Sequence, residues 1–215
     1  MKLVEKISFK RSSKFISFDF PLYIFEINGF SDSLKNELVT HIDYLEKRLS
    51  EVSFSKDHGG THTKNVLTNA HKILHFFDGE NAAVKHIEQK LLDAARLYLT
   101  DVYESENQLL HKFWCNKLYH LEKLQKHQHF TFFPPPDSVC FSMHLTVSSD
   151  SRNTTNYYFL DQDISISNQD GILTVFPGCV EHDTSHNVLT SPRYTIAGDF
   201  GEDRQGNNQR LLQMQ

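Results

Sequence analysis

Apolar positions recur along this chain with two different periods, and the period changes near the midpoint. Leu34, Leu38, Ile42, Leu45 and Leu49 repeat at helical spacing behind Ser31-Asp32-Ser33, which supplies an N-cap, so a helix is predicted from there to about Val52. A second helix is predicted over about Glu80 to Glu104, with Val84, Ile87, Leu91, Ala94, Ala95, Tyr98 and Val102 on one stripe. Stripes of this kind normally face a sheet. Ahead of the helices, residues 1–30 are aromatic and β-prone; Phe15-Ile16-Ser17-Phe18-Asp19-Phe20 alternates, and Pro21 restricts a strand there to an edge or an end. One or two opening strands are expected. Between the helices, Ser53 to Thr63 with Gly59-Gly60 reads as a loop, either reaching toward a site or simply connecting elements on the surface.

Beyond His111 the helical pattern gives way to short alternating runs, starting at Phe113-Trp114-Cys115-Asn116. Ser138 to Leu145 alternates most clearly: Val139, Phe141, Met143 and Leu145 share one face, and Ser138, Cys140, Ser142 and His144 the other. The apolar face is expected to pack and the polar face to be available to a pocket. Ile164 to Ser167, Gly171 to Phe176 and Arg193 to Phe200 read as further strands, and Ser148 to Asn156 as a loop. Helices first and a compact β region second predict a barrel or sandwich braced by helices. The expected organisation is a single domain over residues 1–201, with opening strands and supporting helices in 1–112, a β core in 113–200 and a polar tail in 202–215.

Composition narrows the function. The 22 basic and 27 acidic residues give a formal charge of -5, and no run of Lys and Arg interleaves with aromatics, so nucleic acid held through its phosphates is not an expected partner. Cys115, Cys140 and Cys179 are widely separated, which indicates neither a disulfide framework nor a cysteine zinc site. The opening Met1-Lys2-Leu3-Val4-Glu5-Lys6 lacks a signal-peptide core, and no apolar stretch approaches the ~20 residues that cross a bilayer. A soluble, cytoplasmic protein is expected.

The chain holds 13 histidines, enough for chance pairs to be discounted. His58 and His62 flank Gly59-Gly60, a poor helix; His71 and His75 have i, i+4 spacing without the intervening glutamate of a metalloprotease motif; His41, His86 and His111 fall in helical stretches as surface or boundary residues. His127 and His129 are different. In a strand, i and i+2 leave the same face with Cα atoms about 7 Å apart, close enough to converge on one ion. Gly171-Ile172-Leu173-Thr174-Val175-Phe176-Pro177-Gly178 reads as a buried strand ending in a Pro-Gly turn, which puts His182 just past a strand end as a third ligand, with His186 as its alternative. Imidazole suits iron, zinc, copper and nickel. Arg193 follows eleven residues later and opens a strand in which alternation places Arg193 and Thr195 on one face, where a guanidinium fork and a hydroxyl can grip one carboxylate.

These elements, together with the aromatic N-terminal segment, Gly59-Gly60, Trp114, Asn116 and Phe176-Pro177 ahead of His182, resemble the 2-oxoglutarate and Fe(II)-dependent oxygenases, specifically a small group found in bacteria and viruses. The resemblance covers nearly the whole chain. It implies a mainly β fold, a double-stranded β-helix (jelly roll, cupin-like) with an N-terminal helical layer. It further implies Fe(II) held by His127, His129 and His182, with 2-oxoglutarate as cosubstrate. Arg193 would then bind the far carboxylate with help from Thr195, and Asn116 would belong to the cosubstrate pocket. The implied activity couples oxidative decarboxylation of 2-oxoglutarate by O2 to hydroxylation or a related oxidation of a further substrate. At one position the chain departs from the common pattern: most such oxygenases carry a carboxylate two residues after the first histidine, where this chain has His129.

Two other readings accompany it. A cupin-type metal dioxygenase that does not use 2-oxoglutarate also starts from His-x-His on a jelly roll, but Phe130-Thr131-Phe132-Phe133-Pro134-Pro135-Pro136 lacks the glutamate expected after His129, and that reading has no need of Arg193. A non-catalytic jelly-roll binding module would keep the histidines as packing residues. Metal content separates the module from both enzymes.

Overall fold

The computed structural model describes residues 1–12, 17–51, 81–129, 140–159 and 162–202. Its elements in order are β1 (Lys2–Ser12), β2 (Ser17–Glu26), α1 (Asp32–Glu51), α2 (Ala82–Tyr103), β3 (Leu109–Leu118), β4 (Cys140–Ser148), β5 (Thr154–Phe159), β6 (Gln162–Ser167), β7 (Ile172–Pro177), β8 (Glu181–Thr184) and β9 (Arg193–Glu202). They make a six-stranded sheet in the order β1-β2-β7-β4-β9-β3 and a three-stranded sheet in the order β6-β5-β8, every pair antiparallel. The result is a double-stranded β-helix, with both helices on the outside of the larger sheet. Among the described residues, no helix is long and apolar enough to cross a membrane.

Side-chain alternation assigns each strand face. Phe141, Met143, Leu145 and Val147 of β4 and Ile196 and Phe200 of β9 point outward into one core with Val84, Ile87, Leu91, Ala94 and Tyr98 of α2. The opposite faces point between the sheets, where Leu22, Ile24, Tyr157, Phe159, Phe176 and Val180 form a second, smaller core. Both predicted helices are present within a residue or two of their expected ends. Ser31 caps α1, its Oγ accepting from Leu34 N at 3.2 Å, and Asn81 caps α2, its Oδ1 accepting from Val84 N at 3.1 Å. Pro21 sits inside β2, but β7 pairs only with Tyr23 to Glu26, so the missing N–H falls where β2 is laddered on one side alone. The Pro21 carbonyl accepts from Tyr98 Oη at 2.7 Å.

Several expectations are corrected. His111 lies in β3, not in a helix, because α2 stops at Glu104, whose left-handed φ of 51° ends the helical path. Residues 154–156, expected in a loop, belong to β5; His182, expected just past a strand end, does follow β7 and lies on the short strand β8. His127 and His129 do not form a regular strand. The chain touches β8 at Leu124, whose N–H bonds Thr184 Oγ1 at 2.9 Å, and at His127, which bridges His182; three steps on one side match two on the other, and no ladder can propagate. The expectations for Gly59-Gly60, His58, His62, His71, His75, residues 130–136 and the tail after residue 202 lie outside the described residues.

Two polar clusters hold the frame of the open end. Lys117, next to Asn116 on β3, donates to Asp43 Oδ1 at 2.8 Å and Glu46 Oε2 at 2.6 Å on α1. Burial alone would lower its ammonium, but these carboxylates outweigh that and raise it above the ordinary lysine value. Asn187, fully buried, donates from Nδ2 to the carbonyls of Leu118 (3.0 Å) and Ser191 (2.9 Å) and accepts at Oδ1 from Asn153 Nδ2 (3.1 Å) and Leu189 N (3.2 Å). It ties the end of β3, the entry to β5 and the turn before Arg193 to one side chain. Asn187→Ala strands these groups in a dry site and is expected to lower the unfolding free energy by about 2–3 kcal/mol in urea titration. A loss below about 0.5 kcal/mol would show that water replaces the side chain.

Candidate metal and anion site

The single-bridge segment aims its two histidines at β8. His127 N donates to His182 O at 3.0 Å and His182 N returns to His127 O at 2.8 Å, which sets the two backbones directly opposite. The rings of His127 and His182 then lie 4.4 Å apart, those of His129 and His182 5.0 Å, and those of His127 and His129 5.2 Å. One ligand atom from each of the three falls within 4.8 Å of the others. His186 is exposed and stands outside this group.

The outer nitrogens settle which atoms face inward. His127 Nδ1 bonds Gln125 O at 2.6 Å, His182 Nδ1 bonds Val180 O at 3.1 Å, and His129 Nδ1 bonds the Asp199 carboxylate. Each acceptor holds a proton on Nδ1, so the lone pair is left on Nε2. His182 Nε2 is buried without any hydrogen-bond partner. An orphaned acceptor in a dry site is costly unless something electrophilic fills it, and three converging Nε2 atoms fit a transition-metal ion.

Burial keeps His127, His144 and His182 neutral. Desolvation pushes His182 and His144 well below 6.5 and lowers His127, with neighbouring imidazoles adding to the effect at His144 and His182. Neutral imidazole is the ligating form. The same shifts set an acid limit on the metal-free protein. The folded state resists protons that the unfolded chain accepts below about 6.5, so stability is full above that pH and falls as pH drops. Each such ring contributes up to about 1.4 kcal/mol per pH unit. Urea midpoints compared at pH 7.5 and 5.5 are expected to fall with acid; an equal or higher midpoint at pH 5.5 would contradict the burial argument.

Behind the histidines lies a narrow polar cavity between the sheets. It is lined by Asn116 of β3, His144 and Thr146 of β4, Thr155 and Tyr157 of β5, Thr174 of β7, Thr184 of β8, and Arg193 and Thr195 of β9, with Asn168 at its far side. His144 joins the two regions, its ring 4.7 Å from that of His182. Arg193 is 2% exposed. Its Nη2 donates to Thr155 Oγ1 at 3.0 Å and its Nη1 to Thr154 O at 3.4 Å, its Nε has no partner, and among the described residues no carboxylate pairs with it. Burial pulls the guanidinium down to about 10, so it stays charged at neutral pH. Asn116 Oδ1 and Asn168 Nδ2 are also buried and unpartnered. A buried cation and several free polar atoms around one cavity describe a binding site for an anion with further polar groups.

Every sequence-predicted site residue falls in this region: His127, His129 and His182 in the histidine cluster, Asn116, Arg193 and Thr195 around the cavity. The sequence reading singles out none of Thr155, Tyr157 and Asn168 as a site residue, although it marks Ser148 to Asn156 and Tyr157-Tyr158 as stretches that can shape a pocket. It also missed Asp199, although the parity that pairs Arg193 with Thr195 extends through Ala197 to Asp199 on the same face.

No protein-family model matches the sequence, and no curated protein matches it. Solved structures do match the fold. A prolyl-4-hydroxylase from Pseudomonas putida aligns over 85% of this chain and 93% of its own, with a TM-score of 0.53 and 13% identity. The non-heme alpha-ketoglutarate-dependent carbocyclase SnoK of nogalamycin biosynthesis aligns over 90% and 86%, with a TM-score of 0.59 and 8% identity. A prolyl hydroxylase from Trichoplax adhaerens, solved with a hypoxia-inducible-factor peptide, aligns over 83% of each chain, with a TM-score of 0.56 and 12% identity. The chain therefore has the jelly-roll fold of the 2-oxoglutarate/Fe(II) oxygenases.

Proposed function

We propose that the protein is a 2-oxoglutarate- and Fe(II)-dependent oxygenase. The observation that carries the reading is the placement of three Nε2-facing histidines beside the cavity that buries Arg193, with His144 lining that cavity and touching His182, and no carboxylate among the described residues pairing with the guanidinium. A metal site alone would suit many enzymes; a buried guanidinium beside it asks for a ligand that reaches both, as a 2-oxo dicarboxylate does. The fold likeness supports the same reading.

His127, His129 and His182 would hold the iron. With O2 and 2-oxoglutarate it supplies the oxidising power of the family, in the overall conversion of 2-oxoglutarate, O2 and R–H to succinate, CO2 and R–OH. Arg193 and Thr195 would anchor the far carboxylate, while Thr155 fixes one end of the guanidinium through its hydroxyl. Asn116 would offer its unpartnered Oδ1 and its amide to polar atoms in the cavity. The packed rings of Tyr157, Phe176 and His182, with centroids 4.9 Å (Tyr157–Phe176) and 5.1 Å (Phe176–His182) apart, close the inner wall to water.

The test is an anaerobic titration of metal-free protein with Fe(II) and then 2-oxoglutarate. A visible charge-transfer band on the second addition is the expected result. Iron binding without a band would favour a metal dioxygenase that does not use 2-oxoglutarate, and no iron binding would leave a jelly-roll binding module.

A further inference from the structure

The three histidines are not equivalent. His127 and His182 donate from Nδ1 to neutral backbone carbonyls, whereas His129 donates to the carboxylate of Asp199. Asp199 is itself held: its Oδ1 accepts from Ser142 Oγ at 2.8 Å, and Ser142 Oγ lies 3.3 Å from His129 Nδ1. Ser142 is fully buried, and the side chains of His129 and Asp199 are only 8% and 15% exposed. The Trp114 ring lies 5.3 Å from that of His129, so indole, hydroxyl and carboxylate together fix the imidazole. Among the described residues, neither Lys nor Arg forms an ion pair with Asp199, whose carboxylate bonds His129 and Ser142.

This carboxylate stands behind His129, the residue at which the chain departs from the common pattern of the oxygenases its sequence resembles. Three neutral imidazoles leave a divalent ion with its full double charge in a partly buried site, one unit more than a set with two histidines and a carboxylate. An acid hydrogen-bonded to a ligating imidazole raises the basicity of the ring and returns negative charge one residue further out.

Building on the metal reading of the site, we propose that Asp199 is a positioning residue that completes the centre: it orients His129 with Nε2 toward the metal and supplies, from behind the ligand, the negative charge that a three-histidine set lacks. Charge and orientation make different demands on a substitution. Asp199→Asn keeps the shape and an oxygen acceptor but removes the charge. His129→Asp puts a carboxylate at the ligand position, where Asp199 becomes a like-charged neighbour instead of a support.

Fe(II) and Co(II) affinities, measured anaerobically by competition with a chelator, decide the matter in four proteins: native, Asp199→Asn, His129→Asp and the double variant. Thermal unfolding of each without metal checks the fold. Asp199→Asn is expected to weaken binding about 10–100-fold in the native background. In the His129→Asp background the same change is expected to strengthen binding, because it removes repulsion. A merely structural role for Asp199 would weaken binding in both backgrounds. An Asp199→Asn affinity within about twofold of native, with the fold intact, overturns the proposal even if His129→Asp binds too weakly to compare. Failure of the native protein to bind either ion would overturn the metal reading itself, a distinct result.

Discussion

His182→Ala is expected to abolish stoichiometric Fe(II) binding, with an affinity loss exceeding the roughly 100-fold attributable to outer partners of a ligand. The reason lies in how much is committed to that ring. It is 1% exposed, its Nδ1 is tied to Val180 O, and it touches Phe176 at 5.1 Å and His144 at 4.7 Å between centroids. Among the described residues His144 is the neighbouring imidazole, but its ring is packed on Phe176 at 4.9 Å and its Nδ1 lies 3.5 Å from Tyr157 Oη, while His186 is exposed and outside the cluster. The backbone bonds that hold His127 against residue 182 do not involve the side chain and survive the substitution. Truncation also opens a void beside Phe176, so a stability loss of about 2–4 kcal/mol accompanies it. His182→Gln, which fills more of the space, separates the two effects: metal is still lost, stability less so. His186→Ala is expected to bind metal as the native protein does. Equal binding by His182→Ala and native, or loss in His186→Ala, would move the third ligand elsewhere.

The elements that were legible in the sequence are those with one apolar and one polar face. The α2 stripe and the alternation of β4 were read correctly because each packs an apolar side into the outer core, and the polar side of β4 does deliver Ser142 and His144 to the site. β5 and β8 escaped because their inner faces line a polar cavity. Thr155 and Tyr157 point inward on β5, and β8, Glu181-His182-Asp183-Thr184, has no apolar residue; its order comes from pairing with β5 and from the His127 bridge. The juxtaposition of His127 and His129 was legible although the strand expected there does not form, because an i, i+2 pair in extended chain shares a face with or without a ladder. What no local pattern displays is the distance across the barrel that brings His182 to His127, or the absence, among the described residues, of a carboxylate paired with Arg193.

That absence carries the second large effect. Arg193→Met is expected to make the metal-free protein more stable while ending its response to 2-oxoglutarate. Replacing a buried ion pair by apolar side chains of similar volume is often neutral or stabilising by about 1–4 kcal/mol, because the desolvation cost disappears, and an unpaired guanidinium bears that cost without an ion pair to offset it. Here little is lost in exchange. Thr155 Oγ1 keeps its bond to Asn168 Oδ1 at 3.0 Å, and Thr154 O keeps the donor Ser185 N at 3.0 Å, so neither partner of the guanidinium is orphaned. On the proposed reading, this charge at 2% exposure, with its Nε unpartnered, is held for a ligand rather than for the fold. Iron binding should be unchanged in Arg193→Met, because the three histidines keep their own hydrogen bonds, while the charge-transfer band on adding 2-oxoglutarate should vanish. Urea unfolding and the anaerobic titration read the two halves independently. A marked loss of stability would assign Arg193 to holding the two sheets together, and an undiminished band would place the dicarboxylate somewhere other than this cavity.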